Sequence, residues 1–258
     1  MQPAIELKRR LACSEPVLGI LVMNHLWLEL IELSIKAGLD YVIIDTEHQS
    51  RDGELVADAC RLGRMANFPV LVRPQCTDTE SVALTMDLGP CGLLLPMVES
   101  AEQLDGVRDG IYLPPRGKRR PGGGGNRWLT EFNYETFKTQ VEDHLIILPQ
   151  IESPCGIEHA QEIAAHEITT ALAVGPFDLS TRLGICGERD HPKQEAALRT
   201  IREAAEQAGK PPWMIGNGEQ RAREGYKFLC IAEPTYLLES TLKSMAEQVR
   251  EAATGETE

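Results

Sequence analysis

Eight short apolar runs set the frame of this chain: 17–23 (VLGILVM), 41–45 (YVIID), 69–73 (PVLVR), 92–98 (GLLLPMV), 145–151 (LIILPQI), 169–175 (TTALAVG), 212–216 (PWMIG) and 227–232 (KFLCIA). They are apolar at almost every position, not at every second one. That pattern belongs to strands buried on both faces, and such strands occur in parallel sheets covered by helices. The stretches between them carry helical signals. Leu26, Leu30, Leu33 and Ala37 form a stripe that stops at Gly38, a suitable residue just past a helix end. Asp78 caps a helix ending near Gly89, Ser100-x-x-Gln103 reads as a capping box, and Pro192 opens a long helix running to Gly209. Leu238, Leu242, Met245 and Val249 mark the last helix. Eight strands alternating with helices predict a (β/α)8 barrel, as one domain over 1–258 with its core at about 17–250. The competing arrangement is a doubly wound open sheet. Two intervals exceed a barrel unit: one between the fourth and fifth strands, with an extra helix near 131–142, and one between the sixth and seventh.

Charge and cysteine usage remove several function classes. A net charge of −13 excludes nucleic acid as the main partner, because phosphate binding needs a basic face. Seven cysteines without a C-x-x-C pair read as reduced thiols rather than a disulfide frame or a zinc site. Arg9-Arg10-Leu11-Ala12-Cys13 resembles part of a lipoprotein box, but no apolar stretch precedes it. No run approaches the roughly 18 apolar residues of a membrane span. The expected location is the cytoplasm, with no membrane partner.

A barrel places its reactive groups at the carboxyl ends of strands. The second run leads into Asp45, Glu47 and His48, the third ends in Arg73, the fifth in Gln150 and Glu152, and the sixth in Gly175-Pro-Phe-Asp178. Singly, each has a bland reading. Glu152 could be a solvated loop carboxylate, Asp178 a helix cap, Arg73 a strand-end ion pair and His48 a structural histidine. Four strands delivering polar groups to one rim is the stronger signal. Two carboxylates on neighbouring strands, with an amide nearby and no thiol, suit a hard divalent cation such as Mg2+, with Mn2+ or Co2+ able to take the same place. A 2-oxo acid could chelate that cation, and Arg73 could stabilise an enolate on its keto oxygen. His48 suits a general base, with Asp45 able to orient it.

The segments IIDTEH, LVRP, LPQIES and VGPFDLS, in this order, resemble the HpcH/HpaI family of metal-dependent pyruvate aldolases. The similarity runs from about Val17 to the mid-240s. It implies a (β/α)8 barrel of the phosphoenolpyruvate/pyruvate-binding type whose C-terminal helix is exchanged between subunits of a homo-oligomer, usually a hexamer built as a trimer of dimers. By resemblance, His48 is the base, Asp45 its supporting acid, Arg73 the holder of the pyruvyl oxygens, and Glu152 and Asp178 the metal ligands with Gln150 close by. The backbone amides of Phe177 and Asp178 would receive the pyruvate carboxylate. Phe177 stands where the family has a small residue, and the eighth strand ends in IAEPTYLL where many members have a small or polar run. The implied activity is class II cleavage or formation of 4-hydroxy-2-oxo acids, giving pyruvate and an aldehyde. An oxaloacetate decarboxylase, an acyl-CoA ester lyase of the same fold, or a non-catalytic scaffold are the alternatives.

The loop Gly117-Lys-Arg-Arg-Pro-Gly-Gly-Gly-Gly-Asn-Arg-Trp128 lacks the G-x-x-x-x-G-K-[ST] order of a phosphate cradle. Its reading is either a solvated or subunit-contact loop, or a mobile cationic lid near the active rim for anionic substrates. No lysine stands at a strand's carboxyl end, since Lys227 opens its strand, and this disfavours a Schiff-base aldolase.

Overall fold

The computed structural model describes residues 1–258 except 14, 50, 51, 124–126, 189 and 255–258. Its strands are β1 (Val17–Val22), β2 (Tyr41–Asp45), β3 (Val70–Arg73), β4 (Gly92–Leu95), β5 (Ile146–Ile151), β6 (Leu172–Val174), β7 (Pro212–Ile215) and β8 (Phe228–Ala232). The helices up to the fifth strand are α1 (Gln2–Leu11), α2 (Glu29–Lys36), α3 (Gly53–Met65), α4 (Thr79–Asp87), α5 (Ala101–Ile111) and α6 (Tyr134–Gln140). After it come α7 (Pro154–Glu158), α8 (Ala160–Ala165), α9 (Pro176–Arg182), α10 (Pro192–Gln207), α11 (Gly218–Arg223) and α12 (Pro234–Thr254). The strands run parallel in sequence order and β1 pairs with β8, so the sheet is a closed barrel and not the open doubly wound alternative.

On the second and third strands the two faces go to different cores. On β2 and β3, Val42, Ile44, Val70 and Val72 pack outward against Leu30, Ile31, Val56 and Ala59 of α2 and α3. Tyr41, Ile43 and Leu71 belong to the other core, inside the barrel. The barrel's floor is aromatic. Trp213 Nε1 donates to the Tyr41 hydroxyl at 2.8 Å, which donates to the Leu229 carbonyl at 2.7 Å, and Phe228 meets the Tyr41 ring edge-on at 5.1 Å. Gly19 makes this possible, because a Cβ there would lie 2.4 Å from the Tyr41 ring. The buried rings fill the lower barrel and leave its upper end for polar groups.

Capping follows the sequence reading. Asp78 Oδ1 accepts the N–H of Glu80 and of Ser81, each at 3.0 Å, and Ser100 with Gln103 forms the reciprocal capping box of α5. The extra helix near 131–142 is α6, followed by a 3-10 turn at Glu142–His144. Two strand boundaries and one helix face differ from expectation. The fourth strand stops at Leu95 because Met97 adopts a φ of 50°, outside extended geometry. The sixth begins at Leu172, since Thr169 turns its hydroxyl back to the Ile163 carbonyl at 2.7 Å. On α2, Leu33 is exposed and Ile31 and Ser34 are buried with Leu30, so the helix is rotated from the expected stripe. One element was not anticipated. Residues 2–11 form α1, which buries Ala4 and Leu7, pairs Arg10 with Asp40, and sends the Met1 ammonium to the Gln140 carbonyl at 2.8 Å. No helix among the described residues is long and apolar enough to cross a membrane.

Candidate active site

Strand parity aims the first two functional groups. Asp45 shares the inward face with Tyr41 and Ile43, and Arg73 shares it with Leu71. The register places Asp45 directly beside Arg73 at the carboxyl ends of β2 and β3. Arg73 Nε donates to Asp45 Oδ1 at 2.8 Å, and its Nη1 lies 3.1 Å from Glu47 Oε2. Asp45 Oδ1 also accepts the Glu47 N–H at 2.9 Å. Both partners are sealed from water, with Asp45 fully buried and Arg73 3% exposed. Arg73 Nη2 is buried and has no hydrogen-bond partner among the described residues. A buried guanidinium N–H left unpaired carries a desolvation cost that an oxyanion would remove.

The fifth strand supplies the next pair. Gln150 lies on β5 and Glu152 just past its end, two residues apart and therefore on one face. The side-chain Oε1 of Gln150 is buried without a hydrogen-bond partner among the described residues. Glu152 is 2% exposed, and its Oε2 accepts the Met97 N–H at 2.9 Å. Its other oxygen faces Gly175, where a Cβ would lie 2.0 Å from Oε1. Gly175→Ala must therefore displace either the carboxylate or the start of α9. A shift near 1 Å at reacting groups costs on the order of 100-fold. Turnover of Gly175→Ala is expected to fall on that scale with circular dichroism unchanged, and an active variant would show that the Glu152 position is not critical.

Burial and charge act together on Glu152. Desolvation pushes its pKa from 4.5 up to about 7, with the neighbouring Glu47 and Asp178 adding to the rise and the Met97 N–H and Arg73 opposing it. A carboxyl with a raised folded pKa stabilises the fold only while protonated, so in metal-free protein its cost sets in as pH climbs from about 4.5 through about 7. That span corresponds to roughly 3 kcal/mol at most. Glu152→Gln should accordingly raise the melting temperature of chelator-treated protein at pH 8 and hardly change it at pH 4. Equal effects at both pH values would contradict the assignment.

The remaining predicted groups line the same rim. His48 follows β2, its side chain is 50% exposed, and its Nε2 lies 3.7 Å from Glu47 Oε2. The carboxylate beside the imidazole is thus Glu47, while Asp45 Oδ1 serves Arg73 and the Glu47 amide. Glu47 bridges the guanidinium and the imidazole, and its own pKa is raised, chiefly by burial, with Arg73 and His48 pulling the other way. Asp178 and Phe177 lie in the first turn of α9, where backbone N–H groups have no intrahelical acceptor. Phe177 is exposed at the rim, and Asp178 is half-buried. The donor set formed by Glu152, Asp178 and Gln150 consists of oxygen only, which fits a hard divalent cation. Among the described residues no three His, Cys, Asp or Glu side chains form a closed cage. Mg2+ commonly takes one or two carboxylates and fills its other positions with water and substrate.

Three contributors escaped the sequence reading, wholly or in part. Glu47 is read from sequence as a charged rim neighbour and as the group that takes over proton transfer without His48, but its bridge between Arg73 and His48 is not. Met97 and Gly175 act through backbone geometry, and only the glycine before Pro176 offered a signal.

The cationic loop is not the rim lid. Arg119 is buried, its Nε donating to the Ile111 carbonyl at 3.0 Å and its Nη1 to Asp87 Oδ1 at 3.0 Å. Arg116 Nη1 lies 2.7 Å from Asp143 Oδ1 and 3.2 Å from Glu142 Oε2, and Lys118 Nζ 2.6 Å from Asp109 Oδ2. Asp87 and Ile111 end helices and Glu142 and Asp143 precede β5, so these anchors lie at the amino-terminal end of the barrel, opposite the active rim. Helix-to-strand loops emerge there by topology. Part of the expected lid, 124–126, lies outside the described residues.

Comparison with known proteins agrees with this fold. A hydroxypyruvate/pyruvate aldolase of Chromohalobacter salexigens is 32% identical over 213 residues, covering 80% of this chain and 83% of that protein. A 4-hydroxy-2-oxo-heptane-1,7-dioate aldolase of Escherichia coli is 29% identical over 259 residues, covering 96% and 95%. The crystal structure of an HpcH/HpaI aldolase from Desulfitobacterium hafniense superposes with a TM-score of 0.87 at 26% identity, over 95% of this chain and 96% of that one. The profile of the HpcH/HpaI aldolase/citrate lyase family matches residues 27–212. The chain belongs to the HpcH/HpaI aldolase/citrate lyase family, and within that family it is a carbon–carbon lyase on a closed eight-stranded barrel.

Proposed function

We propose that this single-domain barrel is a class II pyruvate aldolase that cleaves and forms 4-hydroxy-2-oxo acids, with His48, Asp45 and Arg73 as its catalytic residues. The observation that carries the reading is the buried Arg73 Nη2, unpaired among the described residues, beside the inward-facing acids at the ends of β2 and β5. Such a group awaits an anionic oxygen. The first turn of α9 offers the Phe177 and Asp178 N–H groups to the substrate carboxylate, and Gln150 lies within the same buried rim. Glu152 and Asp178 would hold a divalent cation (Mg2+, Mn2+ or Co2+), which supplies Lewis-acid stabilisation of charge on the keto oxygen.

In cleavage, His48 takes the proton of the C4 hydroxyl. The C3–C4 bond breaks, its electron pair passes to the C2–C3 unit, and an aldehyde leaves. Arg73 donates to the oxygen that gains charge, and Asp45 and Glu47 keep the guanidinium aimed. The resulting enolate takes a proton at C3 to give pyruvate. Synthesis reverses these steps.

Pyruvate release from a panel of 4-hydroxy-2-oxo acids, with oxaloacetate included, tests the reading in chelator-treated and Mg2+-, Mn2+- or Co2+-restored protein. Cleavage of a hydroxy-oxo acid that is lost with the metal and regained supports it. Decarboxylation of oxaloacetate alone would move the protein to the alternative enolate chemistry, and full activity after verified metal removal would reject the cation.

The C-terminal helix argues for assembly. Along α12, Leu238, Leu242, Met245 and Val249 are all exposed, forming an apolar stripe that the barrel of its own chain does not cover. An isolated helix is marginal in water, so this stripe needs a partner surface. We take the partner to be a second copy exchanging the same helix, within the hexamer that the family resemblance implies. Sedimentation should show an oligomer that Leu242→Glu dissociates, whereas a stable active monomer would refute it. Seven free cysteines suit a reducing compartment, and the cytoplasm is the location we assign.

A further inference from the structure

Met97 lies between β4 and α5 with a φ of 50°, in the left-handed region where a residue bearing a Cβ is uncommon. That twist turns its N–H out of the strand and onto Glu152 Oε2 at 2.9 Å. Strained backbone of this kind persists only where its surroundings over-determine it. The surroundings here are dominated by one side chain. Gln103 Oε1 accepts the N–H of Glu99 at 2.6 Å and of Ser100 at 3.2 Å, and its Nε2 reaches the Met97 carbonyl at 3.4 Å. A capping box needs only the exchange between Ser100 and Gln103. The grip on the Glu99 amide and the Met97 carbonyl goes beyond it and holds the chain on both sides of the turn. The far side is tied to the segment that carries Glu152. Ser153 Oγ donates to Glu99 Oε1 at 2.6 Å, and the Val98 N–H donates to the Gln150 carbonyl at 3.0 Å.

We infer that Gln103 is a positioning residue for Glu152: it locks the 97–100 turn so that the Met97 N–H fixes one carboxylate oxygen and leaves the other for the cation. The inference rests on the reading of Glu152 as a cation ligand. Groups that orient a ligand from behind are typically worth about 10–100-fold in metal affinity. Gln103 touches neither substrate nor cation, so its effect must run through the main chain.

The test is calorimetric titration of Mn2+ into metal-free full-length protein, with thermal melts of the same samples. Gln103→Leu is expected to weaken Mn2+ binding by about 10–100-fold. Gln103→Glu keeps the oxygen acceptor and loses the donor, so a smaller loss is expected, and this variant carries the test should Gln103→Leu fold poorly. Glu152→Gln serves as reference. If Glu152→Gln binds Mn2+ as the parent does, the ligand reading itself falls and the inference with it. If Glu152→Gln weakens binding while both Gln103 variants keep parental affinity and lose only melting temperature, Gln103 is a helix cap and nothing more. In that case the inference is overturned and the ligand reading stands.

Discussion

His48→Ala is expected to lower kcat by about 10²–10⁴-fold, the contribution of a positioned base, while pyruvate still binds. The side chain is half-exposed at the rim, and Glu47 Oε2 lies 3.7 Å from its Nε2. Removing it therefore opens no core cavity and strands no buried charge, and surface changes of that kind stay within about 0.5 kcal/mol of parental stability. Pyruvate contacts in the proposed reading come from Arg73 and the first turn of α9, not from the imidazole. Single-turnover cleavage should slow in the variant, whereas pyruvate affinity, measured by protection of Mn2+-loaded protein against heating, should not change. If kcat is unaffected, proton transfer passes to Glu47, whose pKa is already raised by burial and which stands between the imidazole and Arg73.

The barrel was legible because its strands are buried on both faces. A half-exposed sheet alternates, but the runs at 41–45 and 92–98 do not, and only a parallel sheet wrapped in helices makes that pattern stable. Closure was less accessible. It depends on β1 meeting β8, and on details such as the bare Gly19 beneath the Tyr41 ring, which no local pattern announces. Helix α1 was missed because its buried residues, Pro3, Ala4 and Leu7, form a face too small to stand out among lysines and arginines.

The site divides in the same way. Asp45, Arg73, Gln150 and Glu152 could be placed on one rim by strand parity alone, and the structure keeps all of them buried. What sequence could not give was pairing. Asp45 lies three residues before His48, and nothing local announces that its Oδ1 accepts from Arg73, which stands beside it at the end of the neighbouring strand. The cationic loop misled for a related reason. Charge density says nothing about which end of a barrel a segment occupies, and topology sends a helix-to-strand loop to the end opposite the site. There Arg116, Lys118 and Arg119 meet carboxylates of their own chain, which accounts for three of the charges that suggested a lid.

Arg73→Met should produce the largest change that combines folding and function. The guanidinium and Asp45 form a pair that is 3% and 0% exposed, and removing one member of such a pair costs about 3–5 kcal/mol, because the other loses its counter-charge in a dry interior. For a chain of this size that corresponds to a fall in melting temperature of about 10 °C. Pyruvate binding should weaken as well, by roughly 10–100-fold, the value of a charge-assisted hydrogen bond to a substrate oxygen. The two effects can be separated. In Asp45→Asn/Arg73→Met the stranded charge is gone, so a large part of the lost stability should return. Affinity should not return, because no guanidinium faces the substrate. Asp45→Asn alone leaves Arg73 held by Glu47 at 3.1 Å and should be the mildest of the three in both measurements. If the double variant recovers pyruvate affinity along with stability, Arg73 serves only to neutralise Asp45, and the substrate oxygen must be held elsewhere on the rim. If neither recovers, the pair is not an isolated unit, and Glu47 carries more of the load than its half-buried position implies.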